Sequence, residues 1–376
     1  MAIPHRFRFD RHAQFGTSIQ SIAFILALLI GTAQARQVVE QSSGVKSRLR
    51  GLCVVNSQIA WTSGSEGTVL LTIDGGKAWT KRPVPNSASL DFRDVHALDA
   101  RRAWILSIGA GEKSRIYATS DGGATWTLQH QNHDPKVFLD AIAFWDAKHG
   151  IVLGDPVDGR YTILITDDGG TTWTKSPSEG MPHALDGEGA FAASGTCLVV
   201  QGDRNAWFAT GGAKVSRVFR STDRGRTWSA HETPILAGKA TAGIFSLDFR
   251  DAQKGVAVGG DYQAMDLRDQ VFTSTSDGGR TWSTPNPPNG PSGYRSAVAT
   301  MPGTTGPTLI AVGPTGADRS DDGGRTWKPW GNSGFHAVGL TPPNTGWAVG
   351  EAGRIARITL PVPAIPVKNA TSRTGR

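Results

Sequence analysis

Charge and cysteine are scarce in this sequence, and long apolar runs are almost absent. Only 19% of the 376 residues are charged, which disfavours a coiled coil or a helical bundle. Two cysteines, Cys53 and Cys197, allow at most one disulfide. Glycine (47 residues), proline (21) and tryptophan (12) are plentiful, and together they indicate a folded protein rich in turns and β-structure.

The one strongly apolar segment lies near the N-terminus. The segment Ile19–Ile30, with its apolar core at Ile22–Leu29, follows three arginines and precedes Ala33-Gln34-Ala35, a pattern typical of a secretory signal peptide spanning residues 1–35. The alternative is an uncleaved membrane anchor, but about twelve apolar residues fall short of the ~20 that span a bilayer. We therefore expect cleavage near Ala35 and a soluble mature protein that is periplasmic or secreted.

The net charge of +7 is concentrated at the two ends of the sequence. Residues 1–35 and the proline-rich tail, residues 361–376, carry most of the excess of basic side chains. The tail is expected to be disordered. Because the body between them is close to neutral, nucleic acid is not an expected partner.

A repeated octamer dominates the rest of the sequence. It reads Ser/Thr, any, Asp, any, Gly, any, Thr, Trp, and its first copy, Thr72 to Trp79, has alanine in the seventh place. The aspartates are 45 to 55 residues apart, which is the size of a four-stranded propeller blade. They are Asp74, Asp121, Asp168, Asp223, Asp277 and Asp322.

The octamer has the chemistry of a hairpin turn. The aspartate can accept hydrogen bonds from N–H groups inside the turn, and the glycine two places later tolerates a positive φ. Because a whole blade separates each aspartate from the next, we predict that all six are structural. No metal site and no cofactor is expected.

This octamer resembles the Asp-box, or bacterial neuraminidase repeat, and the resemblance covers nearly the whole mature protein. It implies an all-β, seven-bladed β-propeller over residues 36–360, with Asp-box turns between strands 3 and 4 of six blades. The repeat is shared by sialidases, other glycoside hydrolases, sorting receptors and non-enzymatic assembly factors.

The seventh unit follows the last octamer and lacks an octamer of its own. Its outermost strand is therefore missing, and we predict that residues 37–41 supply it and close the ring. Six blades remain the alternative if the last unit is a cap. Cys53 and Cys197 fall on the first strands of blades one and four, too far apart for a disulfide, and should be free thiols.

The turns between strands two and three should lie on the face opposite the octamers, together with the links between blades. In blades three and five these turns are long and polar, and the links into blades four and six add further polar residues. The resulting candidate ligand- or partner-binding residues are Asp155, Asp158, Arg160, Glu188, Asp261, Tyr262, Tyr294 and Arg295.

Three interpretations suit these eight side chains. They could pin loops through Asp and Arg pairs, or contact a protein, glycan or other small ligand. They could also form a glycosidase site, in which one carboxyl group protonates the leaving group and another activates water. We predict no catalytic residue among them. Whether the protein is an enzyme stays open, and the sequence favours a non-enzymatic protein.

The sequence also resembles the photosystem II assembly and stability factor family and its relatives in non-photosynthetic bacteria. The resemblance rests on units that place Leu247–Asp251, Gly255–Gly259 and Asp277–Trp282 in that order. It implies a monomeric, non-enzymatic scaffold that binds a protein partner, such as a membrane complex or its precursor. A sialidase-like glycoside hydrolase is the alternative, although the Phe/Tyr-Arg-Ile-Pro motif of sialidases is absent.

Overall fold

Residues 38–283, 290–301 and 307–361 are described by a computed structural model. They form seven antiparallel sheets arranged as a β-propeller, which confirms the predicted fold class. In these ranges the helical structure consists of three 3₁₀ turns, Gly111–Lys113, Ser178–Gly180 and Glu351–Gly353, and none could cross a bilayer. The predicted signal peptide, residues 1–35, and residues 362–376 of the predicted tail lie outside the described residues.

The strands are short and follow one another along the sequence. In order they are β1 (Val38–Gln41), β2 (Leu49–Val54), β3 (Ala60–Gly64), β4 (Val69–Thr72), β5 (Thr80–Lys81), β6 (Asp91–Ala97), β7 (Ala103–Ile108), β8 (Arg115–Thr119), β9 (Thr127–Gln131), β10 (Leu139–Phe144), β11 (Gly150–Val157), β12 (Arg160–Thr166), β13 (Thr174–Lys175), β14 (Leu198–Gln201), β15 (Asn205–Ala209), β16 (Ser216–Ser221), β17 (Ser229–Thr233), β18 (Ala242–Phe249), β19 (Gly255–Asp261), β20 (Phe272–Thr275), β21 (Ala297–Thr300), β22 (Leu309–Gly313), β23 (Gly316–Ser320), β24 (Lys328–Gly331), β25 (Ala337–Thr341), β26 (Thr345–Val349) and β27 (Ile355–Thr359).

Each blade is a meander of consecutive strands. Blade one is β2 to β5, blade two β6 to β9, blade three β10 to β13 and blade four β14 to β17. Blade five is β18 to β20, and Ser283 forms a further bridge to Ser274 at the free edge of β20. Blade six is β21 to β24, and blade seven joins β25 to β27 with β1.

The apolar core lies between the blades. Each of the seven interfaces between neighbouring sheets holds one cluster of buried apolar side chains, including the interface of blades seven and one. Both faces of every sheet are therefore covered, which is why the inner strands read as nearly continuous apolar runs. The first strands of successive blades contact one another in ring order and surround a central channel.

The N-terminal strand closes the ring. β1 pairs antiparallel with β27, with Val38 opposite Ile358 and Gln41 opposite Ile355. This confirms the predicted fourth strand of blade seven for Val38–Gln41, and residue 37 lies outside the described residues. The pairing covers the open edge that β27 would otherwise present to solvent.

The octamers lie between the third and fourth strands of blades one to six. In each, the first hydroxyl donates to the aspartate Oδ1 at 2.7–2.9 Å and accepts the N–H of the fifth residue, a glycine with φ between +76° and +89°. The same Oδ1 accepts the N–H of the seventh residue at 2.9–3.1 Å.

The seventh residue adds a second bond wherever it is threonine. Its hydroxyl donates to Oδ2 at 2.6–2.7 Å in blades two to six, and Ala78 lacks this bond in blade one. In blade two, Asp121 accepts hydrogen bonds from the hydroxyl and N–H groups of Thr125 and from the hydroxyl of Thr119. These bonds lower the pKa of Asp121 to about 2. Each aspartate therefore satisfies the polar groups of its own turn.

Candidate functional site at the channel mouth

The eight predicted site residues lie in the hairpins between strands two and three and in the blade links, on the face opposite the octamers. They do not form one cluster, because most of their polar atoms are used in separate internal contacts. Glu188, 6% exposed, is bound by the guanidinium of Arg217 and by the hydroxyl of Thr210 at 2.6 Å.

Arg295 is also committed to an internal pair. It is 2% exposed, and its Nε and Nη2 groups donate to Oδ2 of Asp318 at 2.6 and 2.5 Å. The carboxylate of Asp318 also accepts the N–H and hydroxyl of Ser292 in the link from blade five. Arg295 thus ties that link to blade six.

Asp261 and Asp155 serve local loop structure. Asp261 is buried, and although burial by itself raises its pKa, hydrogen bonds from the Gln263 N–H and from Lys239 lower it on balance. Asp155 accepts the N–H of Ala190 at 2.9 Å. Burial raises the pKa of Asp155.

Asp158 and Arg160 lie at the turn of blade three, where Nη2 of Arg160 is 3.0 Å from Nε2 of His183. They line a cavity of about 290 Å³ between the outer parts of blades three and four, together with Tyr161, Met181 and Trp228. Arg160 donates to the carbonyl of Met181, and the exposed Asp158 is 3.3 Å from the ammonium of Lys136. The predicted binding role of these two residues stays a prediction.

Tyr262 and Tyr294 do come together, in an aromatic patch that also contains Phe191 and Phe245. The rings of Phe191 and Phe245 stack at 4.1 Å, and Tyr294 meets Phe245 edge-on at 4.8 Å. Tyr262 stands edge-on over both phenylalanines and is 39% exposed. We call these four rings the mouth aromatic patch. Two of them, Tyr262 and Tyr294, are among the residues that the sequence indicated at this face.

Four inner strands carry a β-bulge that sequence reasoning missed. The extra residue is Arg50 in β2, Arg93 in β6, Asp140 in β10 and Phe245 in β18. Bulges re-aim side chains, and these lie near the start of the innermost strands, which is the mouth end of the channel. A charged residue inside an otherwise apolar inner strand is the signal that could have found three of them.

The channel is closed by a segment that sequence reasoning also missed. The carbonyls of Ala192 and Ala193, in the link into blade four, accept hydrogen bonds from Arg93 at 2.7 Å and from Arg50 at 3.2 Å. Gly195 lies against Asp94 so closely that an added Cβ would be 2.1 Å from its Oδ1. We call residues 191–197 the plug.

The plug also reaches the far side of the ring. The hydroxyl of Ser194 donates to the carbonyl of Ser296 at 3.0 Å, and that of Thr196 is 2.7 Å from the hydroxyl of Ser246. It therefore contacts the inner strands or their leading residues in blades one, two, five and six. At its end Cys197, like Cys53, is a free thiol, as predicted.

Buried carboxyl groups lie beneath the plug. Burial raises the pKa of Asp94 to about 7, although its oxygens accept the N–H groups of Val95 and Ile142. Asp140 is 1% exposed, its Oδ2 has no hydrogen-bond partner, and burial together with the charge of Asp155 raises its pKa well above the usual value. Within the described ranges, no three His, Cys, Asp or Glu side chains form a group that could hold a metal ion.

The raised pKa of Asp140 predicts a pH-dependent effect of Asp140→Asn. A carboxyl group whose pKa is higher in the folded than in the unfolded state costs stability once it ionises, so the contribution of Asp140 becomes destabilising as the pH rises above about 4. The amide does not ionise. We expect Asp140→Asn to raise the free energy of unfolding at pH 8 by about 1 kcal/mol or more and by less at pH 5.

Urea denaturation at the two pH values measures this difference, and the other titrating groups cancel because they are common to both proteins. The exposed Asp158→Asn should change stability by less than about 0.5 kcal/mol at either pH. An equal effect of Asp140→Asn at pH 5 and pH 8 would contradict the expectation.

No protein-family model matches this chain, and no curated protein matches it. Solved structures do. YCF48 from Cyanidioschyzon merolae aligns with a TM-score of 0.60 and 15% identity over 86% of this chain and 99% of that chain. YCF48 bound to D1 peptide aligns at 0.58 and 16% identity, over 86% and 94%.

An ancestral GH74 enzyme also aligns, with a TM-score of 0.57 and 13% identity, over 84% of this chain and 45% of that chain. The protein is thus similar in fold both to a propeller with a bound peptide and to a glycoside hydrolase. At these identities the likeness shows the propeller fold alone.

Proposed function

We propose that this protein is an exported, non-enzymatic β-propeller that binds a protein partner at the channel mouth. It would act as a scaffold in assembling a membrane-associated complex, like the photosystem II assembly factors that its repeat units resemble. The observation that carries the proposal is the exposed Tyr262 ring on the mouth aromatic patch. Exposed aromatic rings on a rigid support are enriched at protein interfaces.

Two further features support binding over catalysis. Glu188 and Asp261 hold internal pairs with Arg217 and Lys239, so these carboxyl groups are not free to act as a glycosidase acid and base. The plug fills the channel entrance, which leaves a closed surface at the ring centre. The likeness to YCF48 bound to D1 peptide adds that a propeller of this kind can hold a peptide.

Export and a periplasmic or secreted location are part of the proposal. They rest on the apolar segment Ile22–Leu29 and the Ala33-Gln34-Ala35 site. Sequencing the N-terminus of the protein recovered from its native host tests this. A mature protein beginning at Arg36 supports export, whereas recovery of the full-length protein in the cytoplasmic fraction contradicts it.

Tyr262→Ala should weaken partner binding about tenfold or more, because truncating a central aromatic anchor removes most of its buried contact area. The purified protein is used to capture binders from the host envelope, and the captured protein is then identified, purified and titrated against each variant. Ile73→Ala, an apolar residue 61% exposed in the first octamer, is the matched control on the opposite face. Its affinity should equal that of the wild type.

Equal affinity of Tyr262→Ala and the wild type would contradict binding at the mouth. Loss of affinity in Ile73→Ala would place the partner on the octamer face. A screen of chromogenic glycosides runs beside the titration. Turnover there would overturn the non-enzymatic assignment in favour of a glycoside hydrolase.

A further inference from the structure

Three guanidinium groups converge at the channel mouth, and one of them has no carboxylate partner. Arg48 pairs with Glu351 at 2.8 Å and Arg93 pairs with Asp91 at 2.8 Å. Among the described residues no carboxylate lies within ion-pair distance of Arg50. The guanidinium of Arg50 therefore has no ion-pair partner in the described part of the chain.

One edge of the Arg50 guanidinium is unused, and a ligand can reach only part of it. Its Nη1 group donates to the carbonyl of Ala193 in the plug, while its Nε is buried without a hydrogen-bond partner. Its Nη2 group makes no hydrogen bond to the described residues. Because the buried Nε has almost no exposed surface, Nη2 is the group that can donate a charge-assisted hydrogen bond to a carboxylate oxygen.

Arg50 keeps its charge at neutral pH. Burial, with smaller contributions from Arg93 and Arg48, lowers its pKa to about 10, so the group is still protonated at pH 7. The nearby His336 adds no charge there, because burial lowers its pKa to about 4. A partly buried guanidinium without a counter-ion is unfavourable, and an incoming anion would relieve that cost.

The surroundings select a monovalent anion with an apolar neighbour. A phosphate dianion would exceed the single positive charge of Arg50 and would lie close to the carboxylates of Asp91 and Glu351. A carboxylate balances the charge. Tyr294 interacts electrostatically with Arg50 and belongs to the mouth aromatic patch, so an apolar side chain next to the carboxylate would meet aromatic rings.

We propose that Arg50 is the receptor for a carboxylate group of the protein partner, bound through its Nη2 group beside the mouth aromatic patch. The carboxylate comes from a polypeptide C-terminus or from an acidic side chain next to an apolar residue. This inference rests on the proposed function and specifies the chemistry of its partner.

Three short peptides distinguish the sources. The first is N-acetyl-Ala-Ala-Phe-Ala with a free C-terminal carboxylate, the second is its C-terminal amide, and the third is N-acetyl-Ala-Glu-Phe-Ala amide. Isothermal titration of the purified protein should show that at least one carboxylate peptide binds about tenfold or more tightly than the uncharged amide. Preference for the first indicates a C-terminus, and preference for the third indicates an acidic side chain.

Arg50→Gln should abolish that preference, whereas Arg101→Gln, an exposed arginine in a turn on the octamer side of blade two, should keep it. Arg50→Lys keeps the charge but not the guanidinium geometry, and we expect it to retain part of the preference. If Arg50→Gln does not fold, as judged by its thermal transition, the Arg50→Lys result decides.

Three results would overturn the inference: equal binding of all three peptides to the wild type, an unchanged preference in both Arg50 variants, or competition by inorganic phosphate stronger than that by acetate. Its failure is separable from that of the proposed function. If Tyr262→Ala loses the captured partner while Arg50→Gln retains it, only the carboxylate inference falls. If Tyr262→Ala retains the partner while Arg50→Gln loses carboxylate binding, only the proposed partner site falls.

Discussion

Replacing Gln41 with methionine should lower the free energy of unfolding by about 2 to 6 kcal/mol. The Oε1 atom of Gln41, the last residue of β1, accepts the indole N–H groups of Trp79 and Trp347, each at 3.0 Å. Methionine fills similar space but leaves both donors without an oxygen. Each unsatisfied buried donor costs about 1 to 3 kcal/mol.

The effect should be large because Gln41 joins the two ends of the ring. Trp79 belongs to blade one and Trp347 to blade seven, and their rings meet edge-on at 6.2 Å. Urea denaturation followed by tryptophan fluorescence measures the loss. Val39→Met on the same strand, 48% exposed, is the control and should stay within about 0.5 kcal/mol of the wild type. Equal stability of both variants would mean that β1 does not hold the ring closed.

Asp318→Ala is the second large effect, with an expected loss of about 3 to 5 kcal/mol. Asp318 is 1% exposed and receives hydrogen bonds from Arg295 and Ser292. Removing the carboxylate leaves the guanidinium of Arg295 buried and uncompensated, which is the costly way to break a buried ion pair. Thermal and urea denaturation measure the change.

The nearby pair of Arg319 and Asp321, whose carboxylate is exposed, provides the comparison. Its nitrogen and oxygen are 2.7 Å apart, and Asp321 is 56% exposed. Asp321→Ala should cost less than about 1 kcal/mol, because solvent screens exposed pairs. A loss as large as that of Asp318→Ala would show that burial does not control the effect.

The Arg295 pair also changes how the candidate site should be tested. Charge reversal at this arginine is a natural test of a partner contact if the residue is taken as exposed. In the folded protein it would place an acid against buried Asp318, so any loss of binding would follow from unfolding. Tyr262 and Arg50 are better positions, because their ring and guanidinium are partly open to solvent.

Much of the architecture was predictable because the turn of the octamer is formed by residues close to one another in sequence. The side-chain hydrogen bonds of its first hydroxyl and of its aspartate join residues within four positions of one another, so its sequence specifies its turn, and its period specifies the blade. The absence of an octamer in the last unit indicated the missing strand that β1 supplies. These conclusions needed no knowledge of contacts distant in sequence.

The site was only partly predictable. The sequence indicated that the eight residues lie on the face opposite the octamers, and it included two rings of the mouth aromatic patch, Tyr262 and Tyr294. It could not show that Glu188 and Arg295 form buried ion pairs with Arg217 and Asp318. The sequence of a polar loop does not reveal whether a side chain faces solvent or pairs with another residue of the same protein. The bulges at Arg50 and Arg93 depend on register with the neighbouring strand, which no single strand reveals.

The sequence alone therefore determined the number of blades, the turn that ends each third strand and the strand that closes the ring, since each follows from a repeated local pattern. Only the tertiary structure decided which charges remain unpaired at the channel mouth. Arg50 and its plug acceptor Ala193 are separated by most of three blades along the sequence, and ring closure brings them to 3.2 Å. A hydrogen bond between residues so distant in sequence therefore depends on the closed ring.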